Sequence, residues 1–233
     1  ICIDLPGHGS STPTDAKTIE DYADYIFNCL LKVNLTNIHL CGHSMGGLVA
    51  MQLLSLNEKM FKSVTLFNCQ YPLFVGSALL EGSSRNLDGA ADFLTKYGIH
   101  KLPEKEKPKK VFGVKGSSFY KKNKGKVISP YGSKDLNDPA REIALYDLKK
   151  LFNQVSKEIL SIDMNACMKY RMDESKLKKI QDINILIGEM DKLVSEEKIQ
   201  EMIKMFGSAN LKKMEGVAPV SYTHLRAHET DRY

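Results

Sequence analysis

The sequence predicts an α/β fold in which a mostly parallel sheet is flanked by helices. Three observations support this prediction. Short apolar runs alternate with segments of helical periodicity at both ends of the chain, the pattern of a parallel sheet with crossover helices. A serine bracketed by glycines separates one apolar run from one helical segment. An insertion of about 100 residues then interrupts the alternation. This insertion is too long for a simple loop, and we expect it to cover another part of the molecule.

The first part of the chain predicts one strand and one amphipathic helix. Residues 1–5 are an apolar run that ends in a turn rich in proline and glycine. Residues 19–33 then carry apolar side chains at helical spacing. Thr18 precedes this segment and Asp21 follows three residues later, a combination typical of a capping box at a helix N-terminus.

Residues 37–54, NIHLCGHSMGGLVAMQLL, are the centre of the predicted fold. The segment begins as a strand and ends as a helix, and the turn between them is Gly42, His43, Ser44, Met45 and Gly46. This is the G-x-S-x-G pattern of a nucleophile elbow, in which a sharp, strained turn exposes a serine hydroxyl. Gly42 and Gly46 lack the Cβ atoms that would collide with the turn, and His43 is expected to support its backbone. Ser44 is therefore the candidate nucleophile.

The long insertion divides the predicted core into two parts. Residues 1–70 form the first part, and residues 71–178 are expected to form a helical lid. Helical patterns occur in the lid at residues 88–97 and 141–164. The lysine-rich loop between them, residues 101–126, holds ten lysines and two glutamates.

The alternation of strand and helix resumes after the lid. Residues 179–218 are interpreted as the C-terminal part of the core, with strands at residues 183–188 and 209–214. Between them, residues 195–206 predict a helix that begins after a serine and is stopped by a glycine. Together with the strand at residues 63–68, these elements predict a parallel sheet with right-handed crossovers.

The succession DLPGHGSS, CGHSMGG, a helical insertion and ILIGEMDKLVS resembles the α/β-hydrolase superfamily, in its lidded serine hydrolase branch. The GHSMGG form is similar to that of monoacylglycerol-lipase-like and bromoperoxidase-like members. The resemblance covers residues 1–218. It implies an α/β-hydrolase fold with the family's N-terminal strands missing before Ile1. It also implies a Ser-Asp-His triad, an acyl-enzyme, and no metal or organic cofactor.

The resemblance also assigns roles to particular residues. Asp191 matches the triad acid, which in this family follows the strand after the lid. The backbone N–H of Met45, the residue after Ser44, matches one donor of the oxyanion hole. The second donor belongs to a loop that would precede Ile1. The resemblance therefore implies a serine hydrolase acting on a small carboxylic ester or thioester.

The resemblance implies a histidine after the last strand, but the sequence reads EGVAP there. Residues 220–230, VSYTHLRAHET, resemble one reading frame of transposase adapter DNA used in sequencing libraries. Residues 219–233 are therefore expected to be a non-native tail, and codon 219 to derive from a histidine codon cut at the library junction. A rival interpretation makes His224 or His228 the catalytic base. On the first interpretation the chain is a truncated fragment with little or no activity.

The composition of the chain limits which partners and which cellular compartment we expect. No apolar run approaches the roughly 20 residues of a transmembrane helix. Five scattered cysteines, odd in number and without metal-ligand spacing, are interpreted as reduced core residues, which favours the cytoplasm. The lysine-rich loop is interpreted as solvated, with weak contact to an anionic surface as the alternative. No nucleic-acid partner is expected.

Other functions stay open at this point. A non-catalytic protein of the same fold could bind a ligand or partner under its lid, although it would need neither Ser44 nor Asp191. A carbon–carbon bond hydrolase uses the same elbow. His8 and His39 are interpreted as structural. The apolar lid residues Phe74, Leu79, Leu80, Phe93 and Leu94 suit an apolar acyl group, although most are expected to pack on the core.

Overall fold

Four parallel strands form one sheet, in the spatial order β1-β2-β3-β4. The strands are β1 (Ile38–His43), β2 (Phe61–Phe67), β3 (Ile183–Gly188) and β4 (Asn210–Met214). The structure, a computed structural model, describes residues 1–85, 89–90, 93, 155–176, 182–189, 191, 193–207 and 209–214. The predicted parallel sheet is confirmed, and the carboxyl ends of its strands all lie at one edge.

The two inner strands carry the centre of the core. Val64 of β2 pairs with Ile183 of β3, and Leu66 pairs with Ile185. All four side chains are buried. Alternate residues of both strands therefore face the core, as expected for pleated strands in the middle of a sheet.

Residues 1–5 are not part of the sheet, so the strand predicted there is wrong. Ile1 is fully exposed, and Ile3 is exposed as well. An apolar run becomes a strand only when a neighbouring strand takes up its backbone hydrogen bonds. Here Asp4 bonds with the following turn instead, since its carboxylate accepts from Ser10 N (2.9 Å) and its carbonyl from Ser11 Oγ (2.8 Å).

Five helices accompany the strands in the described part of the chain: α1 (Ile19–Lys32), α2 (Met45–Leu56), α3 (Ser77–Arg85), α4 (Lys157–Lys169) and α5 (Glu196–Phe206). Short 3-10 turns span Glu58–Met60 and Glu174–Lys176. The predicted capping box of α1 is confirmed, because Thr18 Oγ1 accepts from Asp21 N (3.1 Å) and the Asp21 carboxylate accepts from Thr18 N (3.0 Å). Helix α5 begins after Ser195 and ends before Gly207, which has φ +76°, as predicted.

Helix α2, which follows the elbow, is buried on nearly all sides. Its fully buried side chains are Leu48, Val49, Ala50, Met51, Leu53 and Leu54. It contacts α1 on one side and β1 on the other. A helix without a polar face needs such cover on both sides, and the burial fixes the position of the turn at its N-terminus.

Helices α3 and α4 lie within residues 71–178, the range predicted as a lid, and they contact each other. Helix α4 extends beyond the predicted end at residue 164. The predicted lysine-rich loop, residues 101–126, and the predicted non-native tail, residues 219–233, lie outside the described residues. No helix among those described is both long enough and apolar enough to cross a bilayer.

The cysteine prediction is confirmed only in part. All five thiols are free, and Cys69 and Cys167 are buried. Cys2 and Cys41 are exposed, so their interpretation as core residues is wrong. Cys41 lies between Leu40 and Gly42 on β1, which is an edge strand of the described sheet, and it is exposed.

Candidate active site

The elbow turn holds Ser44 in a backbone conformation that side chains rarely adopt. Ser44 has φ 50° and ψ −116°, in the left-handed half of backbone space. Its N–H donates to the carbonyl oxygen of Phe67 at the end of β2 (3.0 Å), and its carbonyl accepts from Gly47 N (2.9 Å). These two hydrogen bonds tie the strained turn to the sheet on one side and to helix α2 on the other.

Close packing explains two of the glycines around Ser44. A Cβ on Gly42 would overlap the backbone of Gly46, and a Cβ on Gly47 would overlap the side chain of Cys69. The space argument for Gly46 is wrong, because a Cβ there meets no atom within 4 Å outside the backbone of its own helix. Glycine is therefore needed for space at 42 and 47, where helix, strand and the loop after β2 come together.

Ser44 is the N-cap residue of α2, and Met45 is the first helical residue. The first four N–H groups of a helix have no acceptor within the helix. They also lie at the positive end of the helix dipole, which favours negative charge nearby. The N–H of Met45 is thus beside the Ser44 hydroxyl and in a region suited to an anionic oxygen.

Asp191 follows β3, as the sequence predicts, and its two carboxylate oxygens differ. Oδ1 accepts from the N–H groups of Leu193 (2.7 Å) and Val194 (3.0 Å). Oδ2 is buried and has no hydrogen-bond partner among the described residues. Burial raises the pKa of the Asp191 carboxyl above its ordinary value, and the two backbone hydrogen bonds oppose that rise.

A cavity of about 420 Å³ brings Ser44 and Asp191 to one site. His43 and Met45 also line it. Its wall is largely apolar and includes Leu73, Phe74, Val75, Leu79, Phe93 and Met164. The volume and lining are typical of a small-molecule site.

The apolar lid residues named from the sequence are divided between two roles. Phe74, Leu79 and Phe93 line the cavity. Leu79 and Leu80 pack against the core, and Leu94 lies outside the described residues. Phe74 is 77% exposed, so that it stands at the open side of the cavity rather than in the core.

Two polar side chains in the cavity wall were not predicted from the sequence. Gln70 Oε1 accepts from Ser195 N (2.6 Å), which ties the start of α5 to the loop after β2. Asn68 is 5% exposed, has φ 43°, and its buried Nδ2 has no hydrogen-bond partner among the described residues. A single polar residue after a strand is too common in sequences to indicate a site.

His8 belongs to a separate cluster, the latch, which consists of His8, Asp163 and Tyr22. Asp163 and Tyr22 are buried, and His8 is partly buried. His8 Nε2 lies 2.9 Å from Asp163 Oδ2, and the Tyr22 hydroxyl donates to Asp163 Oδ1 (2.7 Å). His8 Nδ1 lies 3.1 Å from the carbonyl oxygen of Pro6. Since both ring nitrogens face acceptors, the charged imidazolium fits this position. The hydrogen bond to Asp163 raises the pKa of His8.

The latch is not part of the cavity wall, which supports the structural interpretation of His8. His39 lies on the exposed side of the sheet, where its Nδ1 is 2.7 Å from Ser63 Oγ. Within the described ranges, no group of three or more His, Cys, Asp or Glu side chains is arranged to hold a metal ion. Residue 219, His224 and His228 lie outside the described residues.

Residues 1–219 match the profile of the family described as alpha/beta hydrolase fold. The chain belongs to this family. Among solved structures, an esterase from Exiguobacterium antarcticum is similar with a TM-score of 0.70 and 17% identity, over 98% of this chain and 77% of the esterase. A bromoperoxidase from Bacillus anthracis is similar with a TM-score of 0.68 and 15% identity, over 98% and 77%. At such identities these likenesses show the fold alone, and the predicted α/β-hydrolase fold is confirmed.

Curated members of the alpha/beta hydrolase fold family match shorter segments. An (E)-2-((N-methylformamido)methylene)succinate hydrolase of Acinetobacter baylyi is 33% identical over 72 residues, 30% of this chain and 27% of that protein. The 3-oxoadipate enol-lactonase 1 of the same organism is 32% identical over 68 residues, 29% of this chain and 26% of that protein. The matched segments thus span about a quarter of the length of these relatives.

Proposed function

We propose that the chain forms the core of a serine hydrolase that cleaves a small carboxylic ester or thioester through an acyl-enzyme on Ser44. One observation carries the proposal. Ser44, which lies on a strained turn, and Asp191 line the same cavity. The buried Oδ2 of Asp191 has no partner among the described residues. Burying a charged oxygen without a donor is costly, and the ring N–H of a catalytic histidine is the donor that such an acid takes.

In the first half of the proposed reaction, Ser44 Oγ attacks the acyl carbon. The Oγ–carbon bond forms, and the carbonyl electron pair moves onto the oxygen, where the Met45 N–H donates to the developing charge. The base removes the serine proton and passes it to the departing alcohol or thiol as the acyl bond breaks. Asp191 Oδ2 accepts from the base, fixes its tautomer and stabilises its charged form.

In the second half, water takes the place of the leaving group. The base removes a proton from the water, whose oxygen attacks the acyl carbon. The bond between Ser44 Oγ and the acyl carbon then breaks, the carboxylic acid is released, and the base returns the proton to Ser44 Oγ. Atoms balance as one water consumed for one ester cleaved.

The residue that we propose as the base is a histidine at position 219 of the native protein. Position 219 follows β4, and the end of β4 lies beside the end of β3. Gly188 pairs with Met214, and the N–H of Glu189 donates to the Met214 carbonyl (2.9 Å). A residue a few positions after Met214 therefore starts from the same sheet edge as Asp191.

The name of one curated relative agrees with ester chemistry. That relative is an enol-lactonase, whose name denotes action on a cyclic ester. Another relative is a 2-succinyl-6-hydroxy-2,4-cyclohexadiene-1-carboxylate synthase of Escherichia coli, 41% identical over 51 residues, 22% of this chain and 20% of that protein. The family thus carries several chemistries, and the ester or thioester is our choice for this cavity.

Covalent labelling of the full-length protein with a fluorophosphonate tests the proposal. We expect one label per molecule on the peptide that contains Ser44, and none in Ser44→Ala. Ser55→Ala is a matched control at the other end of α2, where the hydroxyl only donates to the Gln52 carbonyl, and it should label fully. Absence of label on folded protein would instead support a non-catalytic ligand-binding protein.

A further inference from the structure

We propose that Asn68 recognises the substrate by donating a hydrogen bond from its side-chain amide to an oxygen of the acyl group. The site would then prefer acyl groups that carry a neutral acceptor oxygen beyond the ester carbonyl, such as oxo-acyl groups, over plain alkyl chains. This inference rests on the proposed function and deepens it by naming a substrate class.

The position of Asn68 in the sheet places it between the two candidate catalytic residues. It directly follows β2, the strand that lies between β1 and β3. The residue before it, Phe67, accepts a hydrogen bond from Ser44 N, and the N–H of Asn68 donates to Leu186 of β3 (2.9 Å). An acyl group on Ser44 Oγ therefore starts next to the backbone segment that carries Asn68.

The side chain of Asn68 has no internal partner for its donor. Nδ2 is buried without a hydrogen-bond partner among the described residues, and an unpaired buried amide is costly. The other such atom is Asp191 Oδ2, an acceptor, yet the two do not bond to each other. In the proposed mechanism Asp191 Oδ2 pairs with the base, so the donor of Asn68 stays available to a ligand.

The backbone at Asn68 does not by itself explain the residue. Asparagine tolerates φ 43° better than most residues, but glycine would adopt it without burying a donor. Asn34 and Asn37 have the same left-handed backbone, φ 52° and 56°, and both are exposed. Asn68 instead lines the cavity and is 5% exposed, and its Nδ2 is buried.

The charge of the cavity favours a neutral acceptor over a carboxylate. Among the described lining residues, Asp191 is the one acidic side chain, and none is a lysine or arginine. A second carboxylate would be repelled by Asp191 and would find no cation to pair with among these described residues. A ketone oxygen accepts a hydrogen bond without bringing charge into the apolar cavity.

Ligand binding to the full-length Ser44→Ala protein tests this inference without relying on catalysis. The probes are the N-phenyl amides of hexanoic acid and of its 3-oxo, 4-oxo and 5-oxo analogues, measured by titration calorimetry. We expect at least one oxo amide to bind about tenfold more tightly than the hexanoyl amide, the effect of one hydrogen bond that relieves a buried donor. Asn68→Gly in the same background should abolish this preference.

Asn34→Gly is the matched control, because it makes the same substitution at the same backbone conformation outside the cavity, and it should keep the oxo preference. Asn68→Leu provides a second variant, which has a similar shape and no side-chain donor, in case thermal unfolding shows that Asn68→Gly is not folded. The inference is overturned if no amide binds, if no oxo amide is preferred, or if the preference survives both substitutions at 68. Fluorophosphonate labelling of Ser44 decides the proposed function separately.

Discussion

Two carboxylates in the described structure are both held by hydrogen bonds, but only one has partners on both oxygens. Asp163 on α4 is 2% exposed, and its oxygens bond to His8 and Tyr22. Asp191 after β3 has two backbone donors on Oδ1 and none among the described residues on Oδ2. The partners of a fully hydrogen-bonded buried carboxylate compensate for its lost hydration, whereas a carboxylate with a free buried oxygen costs stability until something else binds it.

The two carboxylates also differ in what they connect. The latch of His8, Asp163 and Tyr22 joins the turn before α1, helix α1 and helix α4. Met164 and Cys167, on the same helix as Asp163, line the cavity. The latch therefore holds one wall of the cavity in place, while Asp191 faces the contents of the cavity.

The largest expected effect is on catalysis at Asp191. We predict that Asp191→Asn lowers kcat/KM for ester hydrolysis by about 10⁴-fold, because an amide cannot fix the tautomer of the base or stabilise its charge. Its free energy of unfolding should change by less than about 1 kcal/mol, since the amide oxygen can still accept from the two backbone N–H groups. Steady-state kinetics and urea unfolding of the full-length protein measure both quantities.

Asp163→Asn is the matched control for that activity measurement. It makes the same chemical change at the partnered carboxylate, and we expect kcat/KM to fall by less than about tenfold, through displacement of α4 alone. Equal losses of kcat/KM in the two variants would contradict the distinction between a catalytic and a structural carboxylate.

The second prediction concerns stability, for which we expect the larger effect in Asp163→Asn and the smaller effect in Asp191→Asn. Asp163→Asn should lower the free energy of unfolding by about 3 kcal/mol, because the amide nitrogen cannot accept from His8 or Tyr22 and a buried ion pair is broken. Asp173→Asn is the surface control, since Asp173 and Lys176 form an exposed pair at 4.0 Å. Urea unfolding that places Asp163→Asn within about 0.5 kcal/mol of that control would contradict the latch.

The sequence was sufficient to predict the parts of the molecule that follow from local patterns. Apolar spacing predicted α1 and α2, and flanking residues predicted where α1 and α5 begin and where α5 ends. Ser44 and Asp191 lie in one cavity because each follows a strand, and the carboxyl ends of parallel strands share an edge. Their catalytic roles stay predictions, since the labelling and kinetic experiments above decide them.

The latch and the buried amide could not be predicted because their environment is not local. The partners of Asp163 are His8 and Tyr22, which lie 155 and 141 positions away from it along the chain. In the sequence, Asp163 is one acidic residue within a helix. Asn68 is distinguished by its burial, which depends on the residues that the whole fold packs around it and not on its neighbours in sequence. The prediction of a strand at residues 1–5 was wrong for the same reason. A strand forms only where a neighbouring strand takes up its backbone hydrogen bonds, and an apolar run alone is not sufficient.

The third prediction uses pH to separate the latch from the cavity. The pKa of His8 is raised above its ordinary value of 6.5, chiefly by the hydrogen bond to Asp163. Its contribution is therefore complete below that ordinary value and is lost as pH rises through the raised pKa. The difference in free energy of unfolding between wild type and His8→Gln should therefore shrink as pH rises from about 6 to about 9.

Tyr22, the other titratable partner in the latch, does not interfere in this window, because burial raises the pKa of its hydroxyl well above the ordinary value. His39→Gln is the control, since His39 meets only Ser63 on the exposed side of the sheet. Urea unfolding across this range checks the prediction. A pH-independent difference for His8→Gln would show that the imidazole acts as a neutral hydrogen-bond partner and not as a cation.

The smallest expected effect lies in the backbone of the elbow. The left-handed conformation of Ser44 costs energy for any residue with a Cβ, whereas glycine adopts it freely. Ser44→Gly should therefore exceed Ser44→Ala in free energy of unfolding by about 1 kcal/mol, although both lack the hydroxyl and neither should react with the fluorophosphonate. Equal stabilities by urea unfolding would show that the turn is not strained. A higher free energy of unfolding for Ser44→Gly would show that the strained backbone of Ser44 lowers the stability of the fold. In this respect Ser44 would resemble Asp191, which lacks a partner on Oδ2 among the described residues, and would differ from the fully partnered Asp163 of the latch.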